Sequence, residues 1–197
     1  MLPFVTASTA HAKLADPHWS HVPRRLVSCP SGDSVFVVIT RNFAGQPTVD
    51  GPVTVRLCAC EGYRLSTAGT HPYLLDQSGC SATLFPDNTS GYFLFPFAGG
   101  GLCPSDSVRI DADGVLLGYT RVVSLDQSGA LAVDDQDVAI VQSKVGTADP
   151  GADFDGDGTV TATDVAIVQE HVGHRAPDAG ATPVRPGTWG KLKLLYR

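Results

Sequence analysis

The hexapeptide DVAIVQ occurs at 137–142 and again at 164–169, and the match continues without a gap on both sides. At the same shift Asp126 meets Asp153, Val133 meets Val160, Asp137 meets Asp164 and Gly146 meets Gly173. This constrains the fold more than any other feature. Each copy of an ungapped internal repeat is one structural unit that needs its neighbour to bury an apolar face.

The second copy opens with DFDGDGTVTATD. Counted from Asp153, a twelve-residue loop has Asp153, Asp155 and Asp157 at positions 1, 3 and 5, Gly158 at 6 and Asp164 at 12. Calcium loops need oxygen ligands at these positions and a glycine for the sharp turn. Thr159, at position 7, offers its carbonyl, and Thr161, at position 9, a contact through water. Val160, at position 8, is the expected apolar plug. Without a cation, four carboxylates in one loop repel one another. Ca2+ is therefore the expected cofactor, held by Asp153, Asp155, Asp157, Thr159, Thr161 and Asp164.

The first copy has a weaker set: Asp126 at 1, Ser128 at 3, Asp134 at 9 and Asp137 at 12, with Ala130 at 5 and Leu131 in place of the glycine. A register from Ser124 to Asp135 restores Gly129 to position 6 but breaks the repeat alignment. Both registers remain open at this point. Each loop leads into a short helix, with Val138, Val141 and Val145 on one face of the first and Val165, Val168 and Val172 on one face of the second. Gly146 and Gly173 are the expected stops. Neither helix is long enough to be stable alone.

A loop followed by a helix, twice, without the leading helix of an EF-hand, resembles a type I dockerin over residues 124–174. That resemblance implies calcium binding and docking onto a cohesin-like partner through loop positions 10 and 11. Those positions are Asp135 and Gln136 in the first copy and Ala162 and Thr163 in the second.

Upstream, residues 26–123 read as all-β. SVFVVIT (34–40) is β-branched and aromatic. Val53, Val55 and Leu57 alternate with Thr54, Arg56 and Cys58. DNTSGYFLFPFAGGG reads as a turn, a strand and a glycine stop. SVRIDADGVLLGYTRVV reads as a hairpin about Asp113-Gly114, and that turn accounts for the DADG at 111–114 without a metal. Strands of this length between turn clusters suggest a β-sandwich. GQPTVDGPVTVRL and DNTSGYFLF resemble bacterial immunoglobulin-like domains of the invasin kind, which implies a spacer, adhesive or assembly role. The expected fold is thus mainly β: an immunoglobulin-like β-sandwich followed by a small α dockerin-like calcium module. An extended arm (1–25) with prolines at 3, 17 and 23 precedes it, and a basic tail (175–197) follows. In that tail Leu192, Leu194 and Tyr196 alternate with Lys191 and Lys193, as in a strand. The tail resembles the C-terminal endings of secreted multidomain bacterial proteins, which implies sorting or anchoring.

Charge follows the same boundaries. Residues 1–123 carry nine acids and eight bases, 124–172 ten acids and one base, and 173–197 one acid and five bases. No broad basic face is present, which argues against nucleic acid. No apolar run approaches the roughly 20 residues of a membrane helix. Cys29, Cys58, Cys60, Cys80 and Cys103 lack metal-type CxxC spacing and read as a disulfide framework in an oxidising compartment, with one thiol left free or bonded to another chain. The first residues lack a basic n-region and do not read as an intact signal peptide. His18 and His21, like His171 and His174, read as surface polar pairs. No G-x-S-x-G, P-loop or H-E-x-x-H is present, so catalysis is not expected. The expected function is a secreted, calcium-binding structural subunit that assembles with itself through its arm or tail. Docking onto a cohesin-like protein and cell-surface adhesion are the alternatives.

Overall fold

The structure, a computed structural model, describes residues 14–48, 50–67, 72–86, 90–103 and 108–177. Residues 1–13 of the expected arm and 178–197 of the expected tail lie outside the described residues. The chain is mainly β. A six-stranded sheet has the order β1 (Arg25–Ser28), β10 (Val115–Ser124), β9 (Val108–Ala112), β3 (Val53–Arg56), β6 (Ser81–Leu84) and β5 (Leu74–Leu75). Two ribbons complete the body: β2 (Val35–Ile39) with β7 (Tyr92–Pro96), and β4 (Gly62–Leu65) with β8 (Gly99–Leu102). Pairing is antiparallel except between β1 and β10, where Arg25 lies opposite Arg121 and Ser28 opposite Ser124. Two short helices follow, α1 (Asp135–Ser143) and α2 (Ala162–Glu170).

Alternation sets the faces. Val53, Val55, Val108 and Ile110 point inward from the large sheet, and Phe36, Val38, Phe93 and Phe95 from the β2–β7 ribbon. With Tyr73 and Phe97 they form one core, in which Phe95 and Phe97 stack at 5.3 Å. Each such side chain contributes about 1.5–3 kcal/mol by leaving water. The hairpin at Asp113-Gly114 forms as the dipeptide predicts: φ is 48° at Asp113 and 81° at Gly114, the positive pair that a two-residue primed turn requires. Asp111 is buried between Arg56, 2.7 Å away, and Arg109, also 2.7 Å away, so its charge is already matched.

The glycine run 99–101 was expected to stop a strand. Instead it makes β8, paired with β4. The reason is close approach. A Cβ at Gly99 would collide with the Tyr63 hydroxyl, and one at Gly100 with the Asp126 carboxylate. Glycine here removes side chains so that two polar groups can pack against the strand.

Two disulfides form, Cys58–Cys80 and Cys60–Cys103. The chain turns after β3, where the Cys60 N–H donates to the Leu57 carbonyl at 2.8 Å, and the turn sends the nearby cysteines Cys58 and Cys60 to different partners. Cys29 is free and fully buried. Residues 14–24 lie against the body. His21 bridges Ile39, the Asp16 N–H donates to the Arg41 carbonyl at 2.7 Å, and Ala15 is buried. No helix among the described residues is long and apolar enough to cross a membrane.

Candidate metal site in the acidic repeat

The two copies of the repeat interlock. The Val160 N–H donates to the Thr147 carbonyl and the Gly146 N–H to the Val160 carbonyl, both at 2.8 Å. Symmetrically, the Val133 N–H donates to the His174 carbonyl at 2.8 Å and the Gly173 N–H to the Val133 carbonyl at 2.9 Å. Position 8 of each loop thus pairs with the chain leaving the other copy's helix. Both valines are buried with Val141 and Val168. Val138 and Val165 are half-buried. Val145 and Val172, expected on the same apolar faces, are exposed, because each follows the last helical residue and sits where the chain turns away.

Position 12 has two roles in each copy. Asp164 is the third residue of α2, and its Oδ2 accepts the Thr161 N–H at 2.7 Å, while the Thr161 side chain caps the helix. Its Oδ1 accepts the Phe154 N–H at 2.6 Å. Asp137 repeats this: Oδ2 takes the Asp134 N–H and Oδ1 the Ser128 N–H, each at 2.8 Å, with Asp134 as the cap. A capping box and a metal loop therefore share one carboxylate.

In the second loop, carboxylate oxygens of Asp153, Asp155 and Asp164 converge within 4.8 Å of one another. Asp153 and Asp164 are buried and Asp155 is exposed, so the group opens to solvent on one side. Asp153 also accepts the Gly156 N–H at 2.6 Å and the Gly158 N–H at 3.1 Å. Asp157 stands apart from the group: it is exposed, and its Oδ1 accepts the Thr159 N–H at 2.8 Å. Burial alone would raise the Asp164 carboxyl, but the Thr161, Phe154 and Asp155 N–H groups outweigh it and hold it below the ordinary value. An anionic, oxygen-only cluster of this kind suits a hard divalent cation.

The first loop keeps the shape and loses the charge. Gly129 at φ 79° corresponds to Gly156 at 78°, and Leu131 at φ 59° takes the left-handed turn that Gly158 takes at 95°. Asp126 is fully buried and saturated by its own loop. It accepts the Ser128 hydroxyl at 3.0 Å and the N–H groups of Gly129 at 2.7 Å, Ala130 at 3.1 Å and Leu131 at 2.7 Å. Burial pushes its carboxyl up; the Ser128 hydroxyl and Leu131 N–H pull the other way, and the charge of Asp137 adds to the rise. Asp134 is spent on its cap, accepting the Gln136 N–H at 2.8 Å. Among the described residues, Asp126, Asp134 and Asp137 do not converge as the second loop's acids do.

An arginine of the body grips each loop. The Arg64 guanidinium, from β4, donates to the Gly129 carbonyl. Arg25, from β1, donates to the Asp153 carbonyl at 3.1 Å and the Asp155 carbonyl at 3.0 Å. The module core also takes in Cys29, Val123 and Leu125 from the body. The seam between body and repeat is therefore packed, not a tether.

Sequence reasoning missed one group. His174, read as surface polar, lies with Asp33 and Cys29 in a second cluster of ligand-type atoms at this seam. An odd cysteine and a His-x-x-His at a helix end were the available signals, but they are 145 residues apart in sequence. Comparison with protein-family models, curated proteins and solved structures yields no match.

Proposed function

We propose that this chain is a calcium-binding structural subunit of an extracellular assembly, with an immunoglobulin-like sandwich for its body and a dockerin-like module for its repeat. The observation that carries the reading is the convergence of Asp153, Asp155 and Asp164 within 4.8 Å, at the spacing of a calcium loop. Ca2+ bound there is held by those three, with Asp157, the Thr159 carbonyl and Thr161 completing the shell. The first loop, built on Asp126, Ser128, Asp134 and Asp137, is the structural partner that needs no ion. Two disulfides are compatible with an oxidising compartment.

Self-association is supported by the outer row of the β2–β7 ribbon, where Val35, Tyr92 and Leu94 are exposed together. Exposed apolar rows of this kind mark association surfaces. An arm exchanged between copies would come from residues 1–13 or 178–197, outside the described residues. A second reading, docking onto a cohesin-like partner, is supported by the exposure of Asp135, Gln136, Ala162 and Thr163 on the first turns of the two helices.

The test has two arms. Calorimetry of the chain and of Asp153→Ala and Asp164→Ala should show a calcium-binding event lost in both variants; an unchanged titration overturns the calcium reading. Light scattering in calcium should show oligomers that shift towards monomer with Val35→Asp or Leu94→Asp. A monomer at every concentration rejects self-assembly and leaves docking.

A further inference from the structure

The cluster at the seam differs in chemistry from the acidic loop. Cys29 follows β1, Asp33 lies four residues on, and His174 follows α2. The His174 Nδ1 is 2.9 Å from Asp33 Oδ2, 3.2 Å from Ser31 Oγ and 3.6 Å from Cys29 Sγ. The His174 backbone is fixed by the Val133 N–H, and the His171 ring packs edge-on against its ring at 5.1 Å.

Two functions could explain a cysteine, a histidine and an aspartate in contact. A nucleophilic triad needs the imidazole to face the thiol with one nitrogen and the carboxylate with the other. Here the same nitrogen, Nδ1, faces all three oxygen and sulfur atoms, so no relay is possible.

Ligands of one ion, by contrast, do face a common point. For bonds of about 2.3 Å to sulfur and about 2.0 Å to nitrogen, tetrahedral geometry separates the two atoms by about 3.5 Å. The observed separation of Cys29 Sγ and His174 Nδ1 is 3.6 Å. We propose that Cys29, Asp33 and His174 form a zinc-class metal site that pins the sandwich to the far end of the repeat, separate from the calcium loop. Sulfur and imidazole ligands select a borderline-soft cation and exclude calcium. The Ser31 hydroxyl lies beside the same point, 3.1 Å from the Cys29 Sγ and 3.2 Å from the His174 Nδ1. Asp33 is exposed and His174 half-buried, which gives an ion its way in. On binding, the Cys29 thiol loses its proton to solvent as the metal–sulfur bond forms. His174 binds as neutral imidazole through Nδ1, and nothing is oxidised or reduced.

The test uses the full chain with its disulfides intact and cobalt(II) as the probe. The other four cysteines are in disulfides, so Cys29 is the one thiol able to give a thiolate-to-cobalt charge-transfer band. The expected result is a band that saturates at one cobalt per chain, is displaced by zinc and persists in excess calcium. It should vanish in Cys29→Ser and need at least tenfold more cobalt in His174→Gln. No band with the unaltered protein overturns the proposal, whatever the variants do. A band that survives Cys29→Ser, or an unchanged titration in His174→Gln, overturns it equally. Neither result bears on the calcium loop, which is read by Asp153→Ala.

Discussion

Arg25 and Asp153, 128 residues apart in sequence, meet where the body touches the second loop: the Arg25 Nη1 donates to the Asp153 carbonyl at 3.1 Å. Its second nitrogen reaches the Asp155 carbonyl, and a Cβ on Gly156 would collide with the guanidinium. A cation of the body thus holds the backbone of the loop, and its Nη1 also lies 4.0 Å from an Asp153 carboxylate oxygen.

Arg25 therefore stands in for part of the loop's missing positive charge when no metal is bound. Arg25→Ala should lower stability by about 1 kcal/mol, a figure reduced for the side chain's partial exposure. The loss should be larger in chelator than in calcium, because a bound ion orders the same backbone. Thermal unfolding in both conditions checks this; an equal loss would show that Arg25 acts only through packing.

Chelation itself should not melt the whole chain. A site absent from the unfolded state turns binding free energy into folding free energy. Hydrogen exchange in chelator should lose protection in α1 and α2, and also at Val123 and Leu125, which share their core. Strands β3, β6 and β9 should keep theirs. Protection lost evenly across the sheet would mean that body and repeat fold as one unit.

Leu131 sets two effects against each other. Its left-handed backbone costs a non-glycine residue about 1–2 kcal/mol. Its side chain is 4% exposed, and deleting such a group costs about 2–5 kcal/mol. Burial wins, so Leu131→Gly should destabilise by about 1–3 kcal/mol, although it restores the expected loop glycine. Denaturant unfolding in chelator gives the sign directly.

Gly100 has no such balance. An added Cβ meets the buried Asp126 carboxylate, which its own loop holds in place. Gly100→Ala should cost about 1–3 kcal/mol by overpacking. Gly79→Ala, where a Cβ meets nothing within 4 Å but φ is +69°, separates collision from backbone strain. A larger loss at Gly79 would reverse the argument.

Acid should weaken the fold in a defined window. Burial alone would raise the Asp149 carboxyl; the Gly151 N–H and the Lys144 ammonium, 3.1 Å away, outweigh it and hold it below 3.8. At Asp76 burial is again the largest single effect, and the Ser78 hydroxyl and the Ser81 and Cys80 N–H groups together outweigh it, so its carboxyl is lowered too. A carboxyl whose folded pKa is depressed contributes stability that is present above its unfolded value and lost as pH falls through the folded one. Stability in chelator should fall below about pH 4, and Asp149→Asn should flatten part of that fall. Urea unfolding from neutral pH to pH 2 measures both.

The repeat, its register and its loop spacing were legible in the sequence because their causes are short-range. A carboxylate at position 12 accepts the cap residue's N–H three residues back and closes a loop nine or ten residues back, so spacing alone encodes both bonds. Alternation at Val53 and Val55 and the Asp113-Gly114 turn were legible for the same reason. What the tertiary structure alone decided spans long separations. Gly99–Gly101 read as a stop, because nothing local shows that Tyr63 and Asp126 come to rest where side chains would be. Cys29 read as one of five cysteines of which any could be the spare thiol, and His174 as surface polar, because only the packing of the repeat against the body brings their side chains together. Arg25 and Arg64 carried no signal at all: a guanidinium that bonds to backbone carbonyls needs no particular residue opposite it, so the partner leaves no mark in the sequence.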